Sequence, residues 1–165
     1  MIFVTVGTHE QQFDRLVMQI DKLKETGAIS EEVIIQTGFS TYKPKHCKWS
    51  KLYSYKTMQE YVEKARIVIT HGGPSSFIAP LQIGKIPIVV PRQKKYDEHV
   101  NDHQLDFCKE VRDRMKNIIL VEEVEDLEKS ISEYNRFVGE VSFKQFSNNK
   151  NFNEALERIA DDLLA

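Results

Sequence analysis

The sequence has few of the residues that build disulfide frameworks or metal centres. Its two cysteines, Cys47 and Cys108, lie far apart without a CxxC pairing, so we expect both to be free thiols and expect no metal site. There is no run of ~20 apolar residues and no basic segment followed by an apolar signal core. These absences disfavour a secreted disulfide scaffold, a zinc module and a membrane-spanning protein, and they favour a cytoplasmic location.

The charge balance gives no general attraction to polyanions. The net charge is -2, with 29% charged and 41% hydrophobic residues, which is typical of a globular protein. We therefore expect no nucleic-acid partner. The 165 residues suit one domain, residues 1–165, that buries roughly two-thirds of its unfolded surface.

Short apolar runs alternate with segments whose apolar residues recur at helical spacing. The runs predict strands at 2–6, 32–37, 51–55, 66–70, 86–90 and 117–121, with an exposed polar loop over 41–50. Helices are predicted between them, including 75–83, one along Val124, Leu127, Ile131 and Tyr134, and a terminal one bearing Phe152, Leu156, Ile159 and Leu163. This order predicts a Rossmann-like α/β fold, with a mainly parallel six-stranded sheet and helices on both faces.

Ligands of such sheets bind beyond the carboxyl ends of the strands, so the loops there carry the functional prediction. The strongest signal is RIVITHGGPSS, in which a buried strand ends in a Gly pair and Pro74 fits the first turn of a helix. Free N–H groups of Gly73, Ser75 and Ser76 at the positive helix end suit a diphosphate. The alternative is that Gly-Gly-Pro only makes a tight turn.

Two other loops bear on the class of ligand. VGTHEQQ after the first strand offers further backbone donors but lacks GxGxxG, and Gln36-Thr37-Gly38 has no acid for a ribose, so a dinucleotide oxidoreductase is disfavoured. The segment RQKKYDEHVNDHQ is dense in short polar groups that suit sugar hydroxyls, although a solvated loop and helix start is the alternative.

The motifs MIFVTVGTHEQQFDRLV, IQTGFS, VITHGGPSS, GKIPIVVPR and DEHVNDHQ resemble the nucleotide-binding domain of glycosyltransferase family 28, a GT-B group. That group includes the catalytic subunit of the dolichol-linked UDP-GlcNAc transferase. The narrower resemblance is to the small PssE-type subunits of bacterial capsule and exopolysaccharide synthesis, and it covers nearly the whole chain. The chain is therefore expected to be half of a GT-B enzyme.

The resemblance implies an inverting transfer from a UDP-sugar to an undecaprenyl-diphosphate-linked saccharide. Galactose, in a β-1,4 linkage, is the expected sugar, with glucose, glucuronate and N-acetylglucosamine as alternatives. No cofactor or metal beyond the UDP-sugar is implied. The acceptor half would come from a membrane-anchored PssD-like partner, which would hold this chain at the inner face of the cell membrane.

The resemblance also assigns residues. Those implied to bind substrate are Gly7, Thr8, Gly38, His71, Gly72, Gly73, Pro74, Ser75, Ser76, Arg92, Asn101, Asp102, His103 and Gln104. Arg92 would meet diphosphate charge, and Gln104 matches a sugar-contacting Gln. Candidates for the catalytic base are His9, Glu98 and His99. A structural or substrate-binding role is the alternative for each of them, and the partner is another source of the base.

One departure leaves other functions open. Relatives often carry an acid for the ribose in the helix after the Gly-rich turn, where this chain has Ala79. A non-catalytic UDP-sugar-binding or enhancer subunit is therefore the main alternative, and a UDP-sugar epimerase is a weaker one. The lysines of loop 43–51, with Trp49, suit a partner, anionic lipid or simple solvation.

Overall fold

Among the residues that the structure describes, six short strands form one sheet in which every neighbouring pair is parallel. The computed structural model describes residues 1–141, so the predicted helix bearing Phe152, Leu156, Ile159 and Leu163 lies outside the described residues. The strands are Ile2–Thr5 (β1), Val33–Gln36 (β2), Lys48–Ser50 (β3), Ile67–His71 (β4), Ile88–Val90 (β5) and Ile119–Leu120 (β6).

The strand order is β3-β2-β1-β4-β5-β6, which is the Rossmann order. After β1 the chain continues towards one edge of the sheet, and after β4 it continues towards the other edge. The topological switch point therefore lies between β1 and β4. Thr5 pairs in register with both Gln36 and Thr70, which brings the carboxyl ends of β2, β1 and β4 to one level.

In the described part of the chain, residues 1–141, six helices cover the sheet. They are Asp14–Glu25 (α1), Tyr55–Lys64 (α2), Pro74–Gln82 (α3), His103–Met115 (α4), Leu127–Ser132 (α5) and Tyr134–Glu140 (α6). Local capping fixes several ends: the Ser54 hydroxyl accepts the Thr57 N–H at the start of α2, and Pro74 opens α3. Within residues 1–141, none of these helices has the length and apolar composition needed to cross a bilayer.

The apolar residues separate into two layers. Alternate residues of the central strands, such as Val4 and Ile69, pack with α1, α5 and the start of α6 in the main core. The opposite residues, such as Phe3 and Val89, pack with α2 or with α3 and α4. The predicted Rossmann-like fold with helices on both faces is therefore confirmed.

Two local predictions were wrong. The third strand is Lys48–Ser50, inside the predicted loop, whereas the predicted strand 51–55 is irregular and ends in α2. Backbone pairing with β2 places this edge strand, because its own residues are largely exposed and carry no apolar pattern. The single helix predicted from Val124 is a 3-10 turn followed by α5 and α6, although its apolar residues are buried as expected.

Candidate functional site

A cleft of about 650 Å³ lies over the carboxyl ends of β1 and β4, at the switch point of the sheet. The amino end of α3 and the first turn of α2 form its sides. It is lined by Thr5, Gly7, Thr8, His9, Gln36, Leu52, Tyr53, Tyr55, Met58, His71, Ser75 and Ser76. This is the position at which open α/β sheets bind ligands.

The imidazole of His71 packs between the loops that follow β1 and β4. A Cβ atom on Gly7 would lie 2.4 Å from its Nε2, and one on Gly73 would lie 2.2 Å from its Cε1. Gly7 also has a φ of +77°, in the left-handed region that favours glycine. Both glycines are therefore needed to make room for this ring.

The hydrogen bonds of His71 fix its tautomer. The Gly73 N–H donates to Nδ1 at 3.0 Å, so Nδ1 carries no proton and Nε2–H donates to the Ser76 hydroxyl at 2.9 Å. Burial, the nearby Arg92 cation and smaller effects lower the pKa of His71 to about 4. The ring is thus neutral at pH 7, and the Ser76 hydroxyl keeps its proton to donate to a ligand.

This arrangement changes the predicted set of donors at the start of α3. The Gly73 N–H is engaged by His71, and the Ser76 N–H donates to the Gly73 carbonyl at 3.0 Å. Two of the three N–H groups predicted to be free are therefore taken by the turn itself. What faces the cleft is the positive end of α3 with the Ser75 and Ser76 side chains.

His9 and His99 lie together at the same end of the sheet, with ring centroids 4.9 Å apart. In each ring Nδ1 accepts a backbone N–H two residues on, from Gln11 at 3.1 Å and from Asn101 at 3.4 Å. Partial burial, then the charges of Arg92 and His99, lower the pKa of His9. In the neutral form the remaining proton sits on Nε2, so both rings present donors, and neither has a free nitrogen with which to act as a base.

Arg92 does not face the cleft, contrary to its predicted role with a diphosphate. Its side chain is fully buried, and its guanidinium donates to four backbone carbonyls, three of them in or next to the loop after β1. Burial lowers its pKa to about 10. Arg92 therefore holds that loop in place, and its N–H groups are not available to a ligand.

Glu98, a candidate base with a structural role as its alternative, is likewise engaged within the fold. It is fully buried, and its carboxylate accepts two hydrogen bonds from the Arg15 guanidinium at 2.9 and 3.0 Å. The Gln93 N–H donates to the same carboxylate at 3.1 Å. No acceptor hydroxyl can reach a carboxylate enclosed in this way.

The remaining predicted sugar-binding residues lie in the first turn of α4 or just before it, and the side chains of Asn101, Asp102 and Gln104 accept nearby backbone N–H groups. The side-chain oxygen Oε1 of Gln104 accepts the backbone N–H of Arg92 at 3.2 Å. The carboxylate of Asp102 accepts the backbone N–H of Lys94 at 2.8 Å. Asn101 accepts the His103 N–H at 3.2 Å. Gly38 is needed for close packing, because a Cβ there would lie 2.6 Å from the Gly7 carbonyl oxygen.

Several cleft residues were not predicted. Gln36 is buried, and although its amide nitrogen donates to the Gly7 carbonyl at 3.4 Å, its buried Oε1 has no partner among residues 1–141. The signal for it was a polar residue at the last position of an apolar strand. Tyr55 and Met58 reach the cleft from α2 and also border an adjoining cavity of about 270 Å³ that contains Ala79.

No group of three or more His, Cys, Asp or Glu side chains within residues 1–141 is arranged to hold a metal ion. Both cysteines are thiols, and burial raises the pKa of each to about 12. They are therefore unreactive at neutral pH.

The sequence matches the model of the glycosyltransferase family 28 C-terminal domain over residues 1–163. Among curated proteins it is similar to UDP-N-acetylglucosamine transferase subunit ALG13 of Homo sapiens, with 32% identity over 119 residues, or 67% of this chain. The Mus musculus protein of the same name is 30% identical over 66% of the chain. The matched part is only 10% of the length of either relative.

Among solved structures, the fold is similar to the glycosyltransferase SnogD from Streptomyces nogalater, with a TM-score of 0.53 and 14% sequence identity. The match covers 84% of this chain and 39% of SnogD. At this identity the likeness concerns the fold alone.

Proposed function

Because the chain belongs to the glycosyltransferase family 28 C-terminal domain family, we propose that it is the donor-binding, catalytic subunit of a glycosyltransferase. A UDP-sugar would lie in the cleft over β1 and β4. The observation that carries this proposal is the fixed arrangement of His71 and Ser76 at the amino end of α3, which turns donors and positive helix potential towards the cleft.

The arrangement suits the leaving-group side of a glycosyl transfer. As the bond between the sugar C1 and the diphosphate breaks, negative charge grows on the departing phosphate oxygen. The α3 amino end, the Ser76 hydroxyl and the Nε2–H groups of His9 and His99 would stabilise that charge. They are held in place before the reaction by backbone hydrogen bonds, so little reorganisation is needed.

The general base that deprotonates the acceptor hydroxyl is proposed to come from the partner protein. In an inverting transfer the acceptor hydroxyl attacks C1 and loses its proton to a base. Within residues 1–141, Glu98 is enclosed by Arg15, and His9 and His99 carry their protons on the nitrogen that is not bonded to backbone. A base on a second chain completes the reaction.

The sugar donor, the acceptor and the partner are proposed from the motifs of the sequence. The donor is proposed to be UDP-galactose, used without metal, and the acceptor an undecaprenyl-diphosphate-linked saccharide of capsule or exopolysaccharide synthesis. A PssD-like membrane-anchored partner would bring this chain to the inner face of the membrane. A two-chain enzyme is supported by the curated relatives, which are themselves named as transferase subunits. Their name makes UDP-N-acetylglucosamine the first alternative donor.

One observation favours a second candidate, a UDP-sugar-binding or enhancer subunit that is not itself catalytic. The three predicted bases are all engaged by other groups of the chain, and Ala79 offers no carboxylate to a ribose. The two functions differ in whether the cleft of this chain is needed for turnover.

Transfer of radiolabelled sugar to lipid-linked acceptor tests both. Membranes containing the partner are assayed with and without this chain, using UDP-galactose and UDP-N-acetylglucosamine separately. We expect transfer only when both proteins are present, and a loss of at least tenfold with Ser76→Ala, because a hydrogen bond to a charged group contributes about 1.5–3 kcal/mol. Ser132→Ala, on α5, is the control.

Full activity of the Ser76→Ala complex would favour the enhancer function. Transfer by this chain alone would contradict the two-chain proposal.

A further inference from the structure

Positive charge is concentrated in one part of the chain. Residues 33–59 contain five lysines and no Asp or Glu, although the whole chain has a net charge of -2. The lysines are Lys43, Lys45, Lys48, Lys51 and Lys56, and all five are exposed. This segment begins with strand β2 and continues through the loops on either side of the edge strand β3 to the first turn of α2, and its five lysines all lie after β2.

The charge of this edge is only slightly neutralised from within the molecule. Lys48 pairs with Glu32 at 2.5 Å, and it is the only one of the five lysines in an ion pair within residues 1–141. The nearest buried acid, Asp21, accepts the backbone N–H groups of Lys45 and His46, which anchors the loop and leaves the lysine side chains pointing outwards.

Large apolar side chains are exposed among these lysines. Their exposed fractions are 42% for Phe39, 40% for Trp49, 49% for Leu52 and 78% for Tyr55. The Lys51 ammonium lies 4.5 Å from the centre of the Phe39 ring, so charge and apolar surface adjoin directly. Exposed aromatic rings with flanking lysines are the composition that favours the headgroup region of a membrane.

Protection of the sheet edge explains only part of this surface. Lysine on an edge strand discourages pairing with another strand, and Lys48 on β3 fits that role. Lys43, Lys45 and Lys51 lie outside the strand, and edge protection gives no reason to expose Leu52 and Tyr55 beside them.

We propose that this surface, formed by Lys43, Lys45, Lys51, Phe39, Leu52 and Tyr55 and called here the lysine-rich edge, docks the chain directly on an anionic lipid surface. Its positive charge complements anionic headgroups, and its exposed side chains enter the headgroup layer. Leu52 and Tyr55 also line the cleft, so docking places the cleft mouth at the membrane surface. That last consequence rests on the proposed function, whereas docking itself does not.

The fluorescence of Trp49 can report docking, because Trp49 is the single tryptophan of the chain and adjoins the lysine-rich edge. The full-length chain is titrated without its partner with vesicles of phosphatidylcholine alone, or of phosphatidylcholine and phosphatidylglycerol in equal amounts. Sedimentation measures binding, and quenching of Trp49 by brominated lipid reports its depth. We expect binding and quenching only with the anionic vesicles, weakening steeply with salt.

The triple variant Lys43→Gln, Lys45→Gln, Lys51→Gln removes the charge of the edge. At about 1 kcal/mol per lysine near an anionic membrane, it is expected to bind these vesicles about a hundred-fold more weakly. The matched control replaces three exposed lysines elsewhere, Lys22→Gln, Lys64→Gln and Lys129→Gln, and should bind within a few-fold of wild type.

UDP affinity is measured in both variants, so that a failure of the proposed function is seen separately. Absence of binding to the anionic vesicles would overturn the proposal, as would equal losses in the two triple variants. A triple variant that binds vesicles normally but self-associates would assign the lysines to edge protection instead.

Discussion

Replacing Glu98 with glutamine separates a structural role from a catalytic one. The carboxylate is fully buried and accepts two hydrogen bonds from Arg15, whose side chain is 13% exposed. Removing one partner of a buried ion pair costs about 3–5 kcal/mol, and because Arg15 retains some hydration we expect a value near the lower end, about 3 kcal/mol. For a chain of this size that is a fall in Tm of about 6–12 °C.

A double-mutant cycle identifies the origin of this loss. Arg15→Gln alone also removes hydrogen bonds to the carbonyls of Pro91 and Glu122, so it too is destabilising. In the Glu98→Gln background it should cost about 2 kcal/mol less than in wild type, because the ion pair is already broken. Urea unfolding followed by circular dichroism gives the free energies of the four proteins.

UDP affinity of Glu98→Gln, measured well below its Tm, should stay within about twofold of wild type, since a structural residue does not touch the ligand. A Tm within about 2 °C of wild type together with loss of transfer would refute the structural role and return Glu98 to the list of candidate bases.

Three further predictions follow from single contacts. The pKa of His71 is about 4, below the ordinary value of 6.5, so the free energy of unfolding is highest above pH 6.5 and falls as the pH drops to 4. Over that range, urea unfolding should show that wild type loses about 3 kcal/mol more stability than His71→Asn does. Asp21→Asn should release the loop it anchors and make Cys47 react with a thiol reagent many times faster, as timed by absorbance. Gly73→Ala should displace the imidazole and weaken UDP binding more than tenfold by calorimetry. The control Gly139→Ala, in helix α6 with open space around it, should leave UDP binding unchanged and should not lower Tm.

The sequence predicted the central fold because its strong signals are local. The apolar runs of β1, β2, β4 and β5 are almost wholly buried, so their composition alone identifies them. The edge strand β3 was misplaced because Lys48 and Trp49 are exposed, and only pairing with β2 makes that segment a strand.

The candidate site was predicted in outline because its glycines and His71 follow buried strands, where position alone indicates a ligand. The contacts of Arg92 and Glu98 within the fold could not be predicted, for a physical reason. Charged residues in a polar loop suggest ligand contacts, but their partners lie in or near α1, about 80 residues away, and only the folded chain brings Arg15 to Glu98. Such pairings leave no local pattern in one sequence.

Calorimetric titration of the protein with UDP, beside AMP and NAD, in the wild type and in Ser76→Ala tests most directly whether the cleft over β1 and β4 binds a UDP-sugar. We expect UDP to bind more tightly than AMP or NAD, and Ser132→Ala to bind UDP like wild type. We expect Ser76→Ala to weaken UDP binding about tenfold, because one charge-assisted hydrogen bond is lost. Equal affinity for UDP in wild type and Ser76→Ala would contradict the site, and no binding of UDP with or without the partner would contradict the function.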